Sequence, residues 1–174
     1  MPVPRSLRRR CEDILARTEL PDPFTVEGFR EALARRRGRP IVMEPLPELG
    51  HDTPCGLWVA LPSVDVVFYE QHTSPAHQDL IKLHELGHVL CGHTRNIELG
   101  RFAEHFTDLA PELLAQVLGL ARSNFTTVEE QEAEMIAVLL ADLAGADRVG
   151  TPSSRRLVAS LAHPIRRLRR WRGD

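Results

Sequence analysis

A chain of 174 residues with 22 basic and 24 acidic side chains is close to neutral and long enough to bury a core without disulfide staples. Its three cysteines, Cys11, Cys55 and Cys91, are odd in number and lack paired spacing, so they read as thiols of a reducing compartment. No stretch approaches the ~18 apolar residues of a membrane span, and no apolar run follows the basic N-terminus as in a secretory signal. The expectation is a soluble, cytoplasmic protein with no membrane partner.

The near-neutral total conceals a division. Residues 1–39 carry ten arginines against six acids, residues 40–150 five basic against seventeen acidic side chains, and residues 151–174 seven arginines against one acid. An acidic middle argues against direct nucleic-acid binding there, whereas the arginine-rich ends could touch phosphates, an acidic partner or, as the favoured reading, the acidic body of the same protein. The chain divides accordingly into an N-terminal helical segment (1–39), a core (40–150) and an arginine-rich C-terminal helix packed on that core (151–174).

In chain order, RSLRRRCEDILAR places Leu7, Cys11, Ile14 and Leu15 at helical spacing, and the proline-rich LPDPF that follows ends this helix. Thr25 caps a second helix, with Val26, Phe29 and Leu33 on one face and Gly38 as its stop. The run Arg35, Arg36, Arg37 reads as its solvated end. From Pro40 the period changes to short β-favouring runs at 41–43, 56–61 and 64–69, with Pro62-Ser63 as a hairpin turn. A small, mostly antiparallel sheet is predicted.

The last strand runs into SPAHQDLIKLHELGHVLCGH, which reads as one helix: Ser74 is the N-cap, Pro75 suits the first helical position, and Gly92 is the C-terminal stop. Leu80, Ile81, Leu83, Leu86, Val89 and Leu90 make it apolar on most sides, so it is predicted to be buried. Within it His84, Glu85 and His88 form H-E-x-x-H. Histidines four residues apart project from one helical face and can grip one zinc ion, while the intervening glutamate serves as the general base of a hydrolase. The competing reading is two core histidines satisfied by backbone partners. Tyr69 and His72, just before this helix, are candidates to line the site.

His93 lies past the helix stop and is a candidate for lining the site or binding substrate, with a loop hydrogen-bonding role as its alternative. A metzincin pattern would need glycine at 91 and histidine at 94, where this chain has Cys91 and Thr94, so the third ligand must come from elsewhere. Cys91 shares the face of His84 and His88 but reads as a buried small thiol. A helix over 111–121 is predicted to form a lid or wall. Next, Thr127 caps TVEEQEAEMIAVLLADLAG, a helix ending at Gly145, with Glu130, Ala133, Glu134, Ala137 and Ala141 along one face. The small alanines would let it approach Gly87 closely enough for a carboxylate to complete a metal shell. The tail, SSRRLVASLAHPIRRLRRW, reads as a last helix kinked at Pro164.

HELGHVLCGH followed about forty residues later by EQEAEMIAVLLA resembles the ImmA/IrrE family of metallopeptidases over residues 40–145. The resemblance implies an α+β, zincin-like core: a small sheet packed on the H-E-x-x-H helix and on a second, glutamate-bearing helix, flanked by N- and C-terminal helices. In that family E-x-x-A-N-x-F-A supplies the third zinc ligand from its first glutamate, which falls on Glu130. Glu134 stands where the family has asparagine, and Ile136 where it has phenylalanine. Glu134 is therefore either a group orienting a ligand or a rival ligand, and Glu132, on a different face, is the third choice. The implied activity is that of an endopeptidase with one zinc ion held by His84, His88 and Glu130, with Glu85 as base and a helix-turn-helix regulator as substrate. The alternatives are a non-catalytic, zinc-stabilised module that binds a regulator, or a toxin-antitoxin-like partner.

Overall fold

The computed structural model describes residues 5–46, 55–93 and 126–146. The helix expected over 111–121 and the C-terminal helix of 151–174 lie outside the described residues. Within them are helices α1 (Arg5–Ala16) and α2 (Val26–Arg37), strands β1 (Ile41–Pro45), β2 (Gly56–Ala60) and β3 (Asp65–Tyr69), and helices α3 (Pro75–Cys91) and α4 (Thr127–Ala146). The protein is thus α+β, as expected.

Local chemistry sets the helix boundaries. The Thr25 hydroxyl accepts the Gly28 N–H at 3.0 Å, and Gly38 ends α2 in the left-handed region at φ 69°. Ser74 accepts the His77 N–H at 3.3 Å, Pro75 opens α3, and Gly92 closes it at φ 71°. At that closure Gly92 N–H donates to the Val89 carbonyl (3.2 Å) and His93 N–H to the His88 carbonyl (3.1 Å). These are the paired bonds of a Schellman motif. They fold the chain back so that His93 returns over the last turn of α3 instead of leaving the helix.

The sheet has the order β1-β3-β2. β2 and β3 form the expected antiparallel hairpin, with Leu61 N–H donating to the Val64 carbonyl across Pro62-Ser63 at 2.9 Å. The expectation of a mostly antiparallel sheet needs correction, because β1 pairs with β3 in parallel, from Ile41↔Asp65 to Pro45↔Tyr69. The hairpin gives one edge of β3 to β2, so β1 takes the other edge and runs with β3 instead of against it.

Asp65, at the head of β3, has no exposed surface. Arg37 and Arg39 grip its carboxylate at 2.7 and 2.5 Å, and Trp58 donates its indole N–H at 3.0 Å. Arg37 also lies over the Trp58 ring at 5.5 Å. This member of the Arg35–Arg37 run therefore turns inward, where a solvated helix end was expected. A buried carboxylate persists in an apolar setting only when so answered.

α3 lies between the sheet and α4, and one core includes residues from every element: Cys11, Leu15, Phe29 and Leu33 of α1 and α2 pack with Leu83, Leu86, Ile136 and Leu140. The N-terminal helices therefore belong to the same hydrophobic core as the sheet and α3. α3 and α4 come close at Gly87 of α3, where a methyl group would lie 3.1 Å from the Ala133 carbonyl oxygen and 3.2 Å from its Cα. Backbone cannot yield as a side chain can. Gly87→Val is accordingly expected to destabilise the fold by about 1–3 kcal/mol through overpacking, read as a lower urea midpoint at unchanged m-value.

Candidate metal centre

One turn of α3 separates His84 from His88, and their Nε2 atoms converge to 3.1 Å. From α4, Glu130 brings Oε2 to 3.4 Å from His84 Nε2 and Oε1 to 3.8 Å from His88 Nε2. Donors bound tetrahedrally at 2.0–2.1 Å to one ion lie about 3.3–3.4 Å apart, a spacing these three distances bracket. The group can hold a single metal ion. His88 is fully buried, His84 partly exposed and the Glu130 side chain 49% exposed, so the group has a closed wall and an open side.

The reading of two core histidines satisfied by backbone is not what the geometry shows. The His84 and His88 Nε2 atoms face each other and a carboxylate, and buried His84 Nδ1 has no hydrogen-bond partner among the described residues. Burial is the largest single influence on the His84 imidazole and opposes its charge. The hydrogen bond with Glu130 and the negative charges of Glu85, Glu130 and Glu134 outweigh it, and the pKa rises above the ordinary histidine value. A cation is therefore favoured at this point of the fold.

Glu85 is 4% exposed and faces β2. A methyl group on Gly56 would come within 2.7 Å of Glu85 Oε1 and of Ile81 Cγ2, so the glycine opens the space this carboxylate occupies. Glu134 is half-buried and adds negative charge beside His84, without joining the liganding group. Of the residues preceding α3, Tyr69 presents its ring to Lys82 Nζ at 4.0 Å, and the His72 N–H donates to Glu70 Oε1 at 2.6 Å. His72 is not one of the three groups that could hold the ion.

Behind His88 is a second cluster, of which the sequence reading had His93 as a candidate to line the site and Glu132 as a candidate ligand. His93 Nδ1 lies 2.9 Å from His88 Nδ1, His93 Nε2 lies 3.2 Å from Glu132 Oε2, and Glu132 Oε1 pairs with Arg10 Nε at 2.7 Å. Glu132 was the third choice for a ligand, and Arg10 carried no expectation. The available signal was that Glu132 stands four residues before Ile136 and eight before Leu140, in line with the apolar stripe of α4. Cys91 joins the cluster as a neutral thiol, pushed up to about 12 by burial and then by Glu132, and the Cys11 thiol is pushed up to about 11 by the same two causes.

Comparison with known proteins finds no matching family model, no matching curated protein and no matching solved structure. No described helix is long and apolar enough to cross a membrane. Metal content tests the liganding group directly. His88→Ala and Glu130→Ala are each expected to weaken metal binding by more than the ~10–100-fold that loss of an outer partner costs, whereas Glu134→Gln should leave the metal content of the wild type in elemental analysis. Retention by Glu130→Ala with loss in Glu134→Gln would transfer the third ligand to Glu134.

Proposed function

We propose that the protein is a zinc-dependent endopeptidase with a zincin-like core, in which His84, His88 and Glu130 hold the ion and Glu85 is the general base. The observation that carries this reading is the convergence of two imidazoles from α3 and one carboxylate from α4 at tetrahedral spacing, with a buried glutamate next to one of those imidazoles in sequence. Three protein ligands leave a coordination position open, as catalytic zinc sites do and closed structural sites do not. When bound, zinc supplies Lewis acidity, polarising a scissile carbonyl and making water a stronger acid.

The rest is the work of the chain's own side chains. His84 and His88 present Nε2 lone pairs, which requires each ring to carry its proton on Nδ1. Glu85, shielded on one side by β2, accepts the proton of the attacking water on a carboxylate oxygen. It then returns that proton to the leaving amine, so that the carboxylate is regenerated and the peptide bond is exchanged for one molecule of water. The exposed Glu130 side marks the approach for an extended polypeptide. The resemblance of HELGHVLCGH and EQEAEMIAVLLA to the ImmA/IrrE family supports a helix-turn-helix regulator as the substrate class.

Replacing the base without disturbing the ligands separates catalysis from binding. Glu85→Gln is expected to keep its zinc and to cleave roughly 100- to 10,000-fold more slowly than wild type when each is incubated with a helix-turn-helix regulator encoded beside the chain and the products are read by intact mass. Equal cleavage by the two proteins would sink the mechanism. Equal capture of an uncut regulator by both would instead favour the zinc-stabilised binding module.

A further inference from the structure

The cluster behind His88 runs from the solvent-facing N-terminal helix to the candidate metal centre through one ion pair and two hydrogen-bonding contacts. Arg10 Nε pairs with Glu132 Oε1 at 2.7 Å, Glu132 Oε2 meets His93 Nε2 at 3.2 Å, and His93 Nδ1 meets His88 Nδ1 at 2.9 Å. The Arg10 side chain is 64% exposed, while those of Glu132 and His93 are at most 6% exposed. Arginine has only donors and an ionised carboxylate only acceptors, so the polarity of the chain is set at its outer end. Glu132 Oε2 accepts, and His93 Nε2 must carry a proton to give. A neutral His93 then has a lone pair on Nδ1, which accepts from a proton on His88 Nδ1. The second nitrogen of His88, the Nε2 that faces His84 and Glu130, is left with its lone pair toward the centre.

We propose that Arg10, Glu132 and His93 form a positioning relay that fixes His88 in its Nδ1-protonated tautomer, the form able to ligate through Nε2. The proposal rests on the metal reading above for its purpose but not for its geometry. It accounts for a carboxylate buried in line with the apolar stripe of α4, and for an N-terminal helix docked against α4. The Schellman closure of α3 completes it, because the His93 N–H to His88 carbonyl bond folds His93 back over the last turn of α3, where its ring meets that of His88. The same side chains together with Cys91 are close enough to hold a second cation. The arginine on Glu132 opposes that use, because its positive charge already answers the carboxylate.

A substitution that reverses the polarity tests the relay. In Glu132→Gln the guanidinium of Arg10 selects the carboxamide oxygen, which turns the amide NH2 toward His93 Nε2. His93 then carries its proton on Nδ1 and donates to His88, whose own proton moves to Nε2. Two-dimensional 15N spectra of the imidazole rings in the zinc-depleted proteins are expected to show His88 protonated at Nδ1 in wild type and at Nε2 in Glu132→Gln. Zinc affinity, measured by chelator competition, should fall ~10–100-fold in the variant. In the double substitution Arg10→Leu, Glu132→Gln the amide can turn its oxygen to His93, so the wild-type ring pattern and most of the affinity should return. An unchanged ring pattern in Glu132→Gln, or a double variant that stays as weak as the single one, overturns the proposal. So does a second zinc equivalent that Cys91→Ser removes. A wild-type protein that binds no zinc would defeat the peptidase reading alone, since the ring spectra of the zinc-depleted proteins still decide the relay.

Discussion

Everything at the centre depends on the approach of α3 to α4, where Gly87 meets the backbone of Ala133. Helix axes come closest where the side chains between them are smallest. Gly87 lies between His84 and His88 in sequence, and Ala133 lies just after both Glu130 and Glu132. One backbone contact therefore brings two carboxylates of α4 to two sides of the same histidine. Glu130 meets the Nε2 atoms, and Glu132 meets His93 behind His88. Wider separation would remove both at once.

Buried carboxylates impose the second constraint. Asp65 and Glu132 each sit in the interior, and each is answered by arginine from the N-terminal part of the chain: Arg37 and Arg39 for the first, Arg10 for the second. A guanidinium suits this task because its donors are arranged in a fixed plane and its charge persists across the accessible pH range. The basic N-terminal stretch is in this sense the counter-charge of an acidic core, as the uneven charge distribution suggests. Its Arg37 and Arg39 turn toward the interior, while Arg10 reaches the buried Glu132 from a largely exposed position.

What could be read from the residues was mostly local. The N-caps Thr25 and Ser74, the stops Gly38 and Gly92, the Pro62-Ser63 hairpin and the burial of α3 all follow from interactions spanning a few positions, where the chain has little choice of partner. The parallel pairing of β1 with β3 was not legible in that way. It joins segments more than twenty positions apart, and a β-favouring run has no local mark of which neighbour it will take. The inward turn of Arg37 was hidden for the same reason, because a cation at a helix end satisfies the dipole whether it points to water or to a buried aspartate.

Glu130, Glu132 and Glu134 of α4 draw the boundary most sharply. Helical spacing alone puts Glu130 and Glu134 on one face and turns Glu132 to another, and the sequence by itself settled that much, together with the shared face of His84 and His88. It could not say what each face would meet. Glu132 encounters a histidine folded back by a helix-closing turn and an arginine 122 positions earlier in the chain, and only the packing of α1 and α3 on α4 makes those groups neighbours. Periodicity fixes the direction of a side chain relative to its own helix. Its partners, and with them its chemistry, are decided by the surfaces that the hydrophobic core brings together.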